Sequence, residues 1–371
     1  MARPLDRRVG LDGSVVETVE TPDGLQVVQR DAAGHTTATF RPADDPALPG
    51  LAELLDPGRC SGLVGRALGT AVRVTSADLV RYRAGRRATV RLGVDGGPAP
   101  VLYAKAFHDR AKAAATARSL AHLGHQLAPS APLRLPAFAG HDDVPAVVLL
   151  GAVDGSPVQL PPPLGPGGPG AADDRDADET CRRIGIAVAT LHGLDRAPLP
   201  LRPVSADLDK TAVRVGQLPA GPLRRRLEAW FARIGASTPP EPAAEALVAV
   251  HGDCKPAQVL IGTTVGLLDP DHLGTGDPAG DLAQFHVALV QAAARVLVED
   301  GPATAPSSAE RLIAAFDAGY ATARVGADPG LAERVRWFEQ LTLLRKAVRA
   351  EARRPGAALA TVLADLGGAP A

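Results

Sequence analysis

Cysteine is scarce in this chain of 371 residues: only Cys60, Cys181 and Cys254 occur, an odd number with no Cys-x-x-Cys spacing. That pattern argues against a disulfide framework or a thiolate zinc site and fits reduced thiols. Charge of one sign is also missing, with 40 Lys and Arg against 41 Asp and Glu for a net −1. Without a basic footprint, nucleic acid and anionic membrane drop out as partners. Long apolar runs are absent too. The best of them, such as residues 146–150, falls far short of the roughly 20 residues that span a bilayer. The opening MARPLDRRVGLDGS has no apolar core of a signal peptide. The expectation is a cytoplasmic protein, long enough for two lobes or domains.

What is present is concentrated in residues 250–283, VHGDCKPAQVLIGTTVGLLDPDHLGTGDPAGDLA. Moving a phosphoryl group needs one carboxylate to orient the attacking hydroxyl and accept its proton, and separate oxygen ligands to hold Mg²⁺ against nucleotide phosphates. Asp253 follows Gly252 in a tight turn, and five residues later Gln258 offers an amide carbonyl from the same loop. Strands at 259–261 and 265–268 form a hairpin, which returns its ends to neighbouring positions and brings Asp269 back beside them. Cys254 lies in this loop and reads as packing. Asp281 reads as a helix N-cap that also ties the loop together.

The order His251-Gly252-Asp253, Gln258, Leu268-Asp269-x-Asp271 and Gly276-Asp277-Pro278-x-x-Asp281-Leu282-Ala283 resembles the aminoglycoside phosphotransferase and choline kinase-like family. The resemblance implies an α+β, two-lobed protein-kinase-like fold, with a small antiparallel β lobe and a larger helical lobe. It implies ATP or GTP as co-substrate with Mg²⁺, Asp253 as catalytic base, and Gln258 and Asp269 as metal ligands. The expected division is a β extension and connector at 1–60, the smaller lobe at 61–152, and at 153–371 a helical lobe with the catalytic loop and acceptor pocket.

Along the chain, residues 15–30 and 36–41 read as short strands broken by Pro22-Asp23-Gly24 and Ala33-Gly34. Residues 42–57 read as a Pro- and Asp-rich connector with a short helix at 51–55. Residues 79–94 are two alternating strands around Ala84-Gly85-Arg86, and VLYAKAF follows with Lys105 among apolar neighbours. Desolvating that ammonium is costly without an anionic partner; the alternative is a Lys on an edge strand reaching water. By resemblance, Lys105 holds the α- and β-phosphates. The alanine-rich helix at 111–127 lacks the Glu that the family uses to position this Lys, and Asp109 is the one candidate substitute. Residues 161–170, PPPLGPGGPG, and the acidic AADDRDADE after them read as a mobile loop. Helices are expected at 281–298, 308–325 and 331–353, and residues 152–158 as the connection between lobes.

Three departures from the family stand out. Gln258 replaces its metal-binding Asn. The nucleotide loop has only Gly85, flanked by Arg86 and Arg87, which can supply bidentate phosphate contacts or sit solvated. Lys255, followed by Pro256, resembles the Ser/Thr protein kinases and implies a cation that steadies the transferring phosphoryl charge. From Tyr320 onward bases outnumber acids, the wrong sign for a polycationic aminoglycoside. Choline wants an aromatic cage, yet the adjacent Trp337 and Phe338 read as helix packing. The expected acceptor is therefore a neutral or anionic hydroxyl compound, such as a sugar or natural product, or a Ser/Thr in a peptide. A catalytically weak kinase-fold nucleotide-binding protein is the reading from another class.

Overall fold

The computed structural model describes residues 3–9, 13–158, 160, 171–300, 305–324 and 326–353. The loop expected at 161–170 lies outside them. Two compact units divide the chain, one from residues 1–124 and 136–152, the other from 125–135 and 153–371.

The first unit begins with an antiparallel meander, β1 (Arg3–Val9), β2 (Val15–Thr21), β3 (Gly24–Arg30) and β4 (Thr36–Phe40), in sequential order. Gly24 and Gly34 turn the chain at φ of +103° and +88°, where side-chained residues are strained. β1 is not expected from its sequence, because RPLDRRV lacks apolar alternation. Charge pairing across the strands marks it instead, with Arg7 3.2 Å from Glu17.

The connector is no loose linker: Leu48, Leu51 and Leu54 are fully buried in this unit's core. A short α1 (Leu51–Leu54) leads to α2 (Pro57–Leu68), which the sequence reading passes over. Its signals are local. Asp56 caps the backbone N–H groups of Gly58 and Arg59, Pro57 occupies the first turn, and Gly69 ends the helix in the left-handed region, as capping physics favours. β5 (Arg73–Arg83), β6 (Arg87–Asp95) and β7 (Val101–Phe107) come next, then α3 (Arg110–Gln126) and β8 (Leu133–Arg134), the last belonging to the second unit. β9 (Phe138–Asp142) and β10 (Val147–Gly151) complete a five-stranded antiparallel sheet in the order β5-β6-β7-β10-β9.

The second unit contains β11 (Ser156–Pro157), α4 (Ala171–His192), α5 (Val204–Gly216), α6 (Pro222–Ala236), β12 (Val248–Val250), β13 (Val259–Ile261), β14 (Val265–Leu267), β15 (Gly274–Gly276), α7 (Ala279–Asp300), α8 (Ala305–Ala323) and α9 (Leu331–Arg353). The acidic run at 171–179 is not loop, as expected, but the start of α4. Carboxylates near a helix N-terminus complement its dipole, and two of these acids find bases, Glu179 with Arg182 and Asp178 with Arg311 of α8. α4 and α8 approach through glycines: a Cβ on Gly185 would lie 2.0 Å from the Phe316 carbonyl oxygen, and one on Gly319 2.0 Å from that of Arg182. Phe285 of α7 and Phe316 of α8 stack at 4.4 Å, both fully buried. Among the described residues no helix is long and apolar enough to cross a membrane.

Candidate active site

β12 and β15 pair antiparallel, from Val248↔Gly276 to Val250↔Gly274, and the loop after β12 carries the motif residues. Gly252 turns it at φ +74°, where a Cβ would lie 2.5 Å from the His272 carbonyl oxygen, so both conformation and space require glycine. Asp281 holds the same turn. Its buried carboxylate accepts the backbone N–H groups of His251 at 2.6 Å and Gly252 at 2.8 Å, and a ring nitrogen of His192 lies 3.2 Å away. Burial pushes this carboxyl up, but His192 and the His251 contacts outweigh it and leave the pKa lowered. Asp281 is the third residue of α7, not its N-cap; that cap is Asp277, whose carboxylate accepts the Ala279 N–H at 2.9 Å. The physical reason is reach: a first-turn carboxylate can serve a neighbouring loop while the residue ahead of the helix caps it.

His251 is buried with both ring nitrogens engaged. Nε2 lies 2.8 Å from the Leu268 carbonyl, and Nδ1 3.3 Å from the Asp253 backbone nitrogen. Those partners place an acceptor before Nε2 and a donor before Nδ1. The imidazole thereby links the loop holding Asp253 to the strand end holding Asp269.

The β13–β14 hairpin runs from Val259↔Leu267 to Ile261↔Val265 and closes as expected, with the Leu268 N–H donating to the Gln258 carbonyl at 2.7 Å. Asp269 takes a left-handed backbone at φ +60°, a sparsely populated state for a residue with a side chain, tolerated best by Asp and Asn. The two carboxylates converge on one group. The side-chain nitrogen of Gln258 is 3.4 Å from Oδ2 of Asp253 and 3.2 Å from Oδ2 of Asp269. Lys255 Nζ lies 2.6 Å from Oδ2 of Asp253. Burial raises the Asp253 carboxyl, but the ammonium of Lys255, together with His272 and His251, more than offsets it, and the pKa ends lowered.

Mg²⁺ takes oxygen donors. Asp269 supplies one, while Gln258 presents nitrogen to both carboxylates; a half-turn of its amide exchanges nitrogen for oxygen and adds a second. The donor set therefore fits a hard cation, with the amide standing where positive charge is favoured. Cys254 does not compete as a nucleophile. Burial, then the charges of Asp281 and Asp253, push its thiol well above the ordinary value, and the thiolate is the reactive form.

Gly85, Arg86 and Lys105 belong to the first unit, whereas this cluster belongs to the second. Lys105 pairs with Thr89 and Val148 on the central strand of its sheet, and its side chain is buried. It is not an edge-strand lysine. Asp109, the candidate substitute for the missing Glu, caps α3 by accepting the Lys112 N–H at 3.1 Å. In the β5–β6 turn Gly85 has φ +66°, the Arg86 N–H donates to the Arg83 carbonyl, and the Gly85 N–H donates to Asp45 at 2.6 Å. Gly85 thus shapes the turn with its own amide already engaged, while Arg86 is exposed.

Sequence reasoning misses the partners that lie far away along the chain. Arg334 of α9 is buried, bonding Asp277 at 2.7 Å and both oxygens of Asp328. Arg345 bonds Asp207 at 3.1 Å. Part of the basic charge after Tyr320 is thus neutralised inside the unit. The aromatic side chains are also occupied: Tyr320 meets His192 at 2.9 Å, and the Trp337 indole donates to the Ile234 carbonyl at 3.0 Å.

The sequence matches the Phosphotransferase enzyme family over residues 78–329. No curated protein matches it. Among solved structures, the GDP and kanamycin complex of APH(2")-IIia is similar at TM-score 0.52 and 15% identity, covering 83% of this chain and 98% of that one. A macrolide 2'-phosphotransferase type I is similar at 0.50 and 19%, covering 85% and 99%. The apoenzyme of the macrolide 2'-phosphotransferase MphH from Brachybacterium faecium reaches 0.49 at 21%, over 85% and 99%. The first two carry the protein-kinase-like α+β fold. With most of its length inside the family match, the chain belongs to the phosphotransferase enzyme family.

Proposed function

We propose that this phosphotransferase moves the γ-phosphate of ATP or GTP to a hydroxyl of a small molecule, with Mg²⁺. The observation that carries the reading is the convergence of Asp253 and Asp269 on one amide, with Lys255 against the first carboxylate. In this reading Asp253 orients the acceptor hydroxyl and takes its proton. Gln258 and Asp269 hold Mg²⁺, which when bound neutralises charge on the phosphate oxygens. Lys105 binds the α- and β-phosphates, Arg86 adds a guanidinium contact, and Lys255 steadies charge as the phosphoryl group transfers.

For the acceptor we favour the cleft of the second unit lined by Leu208, Pro240, Glu241, Asp277, Trp337 and Phe338. Asp277 follows β15, the partner of the strand that leads into the Asp253 loop. An apolar wall with the exposed Glu241 carboxylate beside it suits a compound with a hydrophobic face.

Asp253→Asn tests the assignment. Calorimetry should find Mg·ATP or Mg·GTP binding within about threefold of wild type, while steady-state transfer, or slow hydrolysis to water, falls by about 10³-fold or more. Wild-type turnover in that variant would overturn the role of Asp253.

A further inference from the structure

The amino-terminal 60 residues have no part in the chemistry described so far, yet they contain a buried acid. Asp45 is 2% exposed and closes the short 3-10 turn Pro42–Asp44. A carboxylate so buried must be hydrogen-bonded to persist. Oδ1 accepts the Ala47 N–H at 3.0 Å, which fixes the connector locally. Oδ2 accepts two groups from about forty residues on: the Tyr82 hydroxyl at 2.8 Å and the Gly85 N–H at 2.6 Å. From the meander, the Arg8 guanidinium donates to the Ala84 carbonyl.

The Ala84 carbonyl and the Gly85 N–H belong to one peptide group. Both of its ends are therefore held from outside the sheet, the oxygen by β1 and the nitrogen by the connector. This peptide is the tip of the β5–β6 turn, the part of the fold in the place of a nucleotide loop. A loop rich in glycine reaches phosphate with backbone N–H groups; here the amides of Gly85 and Arg86 are already paired. At these two positions the side chain of Arg86 is left to make the contact, and a guanidinium binds well only if its backbone is preorganised.

We infer that Asp45, with Arg8, is a positioning residue for nucleotide binding: the amino-terminal extension clamps the Ala84–Gly85 peptide and so sets where Arg86 meets the phosphates. This rests on the nucleotide reading of the β5–β6 turn proposed above. The extension then acts on affinity, not on the chemical step.

The test is calorimetric titration of the full chain with Mg·ATP and Mg·GTP, beside amide hydrogen exchange over residues 79–90. Asp45→Ala should speed exchange at residues 84–86 by about tenfold or more and raise the Kd of whichever nucleotide binds by about fivefold to twentyfold. Lys105→Met should weaken binding with residues 84–86 still protected. Tyr82→Phe removes one donor and keeps the Gly85 contact, so its Kd should rise about twofold to threefold. It serves as the deciding variant should Asp45→Ala fail to fold, which circular dichroism will show.

Wild-type Kd or wild-type exchange in folded Asp45→Ala, or a wild-type Kd in Tyr82→Phe if the former does not fold, overturns the inference. If Lys105→Met loses affinity while those variants do not, the clamp alone is wrong. A wild-type chain that binds neither nucleotide removes the proposed function and the clamp with it.

Discussion

Lys255 holds its ammonium 2.6 Å from Oδ2 of Asp253, two residues back along the same loop. Both side chains are about one-third exposed, at 35% and 30%, and ion pairs so wetted contribute roughly 0–1 kcal/mol to stability. The fold therefore gains little from the pair. Its consequence is electrostatic: it keeps Asp253 ionised and places a cation beside the proposed transfer site. Lys255→Met should shift the melting temperature by no more than about 2 °C. The same variant should lower kcat by about 10²-fold with the nucleotide KM changed less than about threefold. Steady-state kinetics with a cognate acceptor checks this, and an undiminished kcat would remove Lys255 from the chemistry.

Gln258 sets the second prediction. Its amide nitrogen bridges Asp253 and Asp269, so taking up a cation requires breaking both contacts and turning the oxygen inward, with one methylene more than the family's Asn. Mg²⁺ tolerates little deviation from octahedral geometry. Gln258→Asn should lower the Mg²⁺ concentration for half-maximal activity by about threefold or more, and Gln258→Leu should raise it by about tenfold. Equal Mg²⁺ dependence in all three proteins would place the metal elsewhere.

The division between what is legible in the sequence and what is not follows contact distance. The hairpin that returns Asp269 to Gln258 is local, written in a short apolar repeat and a turn, and it forms as read. The stripes of α7, α8 and α9 are local too. Asp45 and Gly85, or Asp277 and Arg334, are separated by forty residues or more, and nothing about an Asp in a Pro-rich connector distinguishes it from a solvated one. The pairing of Arg334 and Arg345 with acids far away along the chain is hidden for the same reason. The missing helix Glu is a plain absence in the sequence, but where Asp109 spends its carboxylate shows only in the fold, at the α3 cap.

His286 makes stability depend on pH. It sits buried on α7 between Asp317 at 2.9 Å and Glu339 at 2.8 Å, joining α7 to α8 and α9. Burial disfavours its charge, but the two carboxylates more than reverse that and raise its pKa from 6.5 to about 9. A group whose pKa is raised on folding stabilises fully below its unfolded value and loses that contribution as pH rises through the folded one. Stability should thus fall between about pH 6.5 and pH 9, by roughly 3 kcal/mol at about 1.4 kcal/mol per unit. Above that window Cys60 and Cys181, pushed by burial to about 12, add losses of their own as the unfolded thiols ionise. Urea unfolding at several pH values measures the slope, and His286→Gln should flatten it below pH 9. A slope unchanged in that variant would mean that His286 is not held charged.

Glycine to alanine should have opposite signs at two helix positions, which separates packing from propensity. Within α3, Gly124 is exposed and a Cβ there meets nothing within 4 Å. Gly124→Ala should therefore stabilise by about 0.5–1 kcal/mol, through helix propensity and a less free unfolded chain. Within α4, a Cβ on Gly185 would come 2.0 Å from the Phe316 carbonyl oxygen and 2.7 Å from the Tyr320 nitrogen. Those are backbone atoms of α8 and cannot swing aside as a side chain would, so the two helices must part. Gly185→Ala gains the same propensity and loses more, for a net destabilisation of about 2–3 kcal/mol and a melting temperature lower by about 5–10 °C. Because α8 also carries Tyr320, which meets His192 and through it Asp281, the displacement should reach the Asp253 loop and lower kcat below the temperature at which the protein melts. Thermal unfolding of both variants, with activity followed at a fixed temperature well below melting, decides it; a neutral Gly185→Ala would mean that α4 and α8 are not in backbone contact.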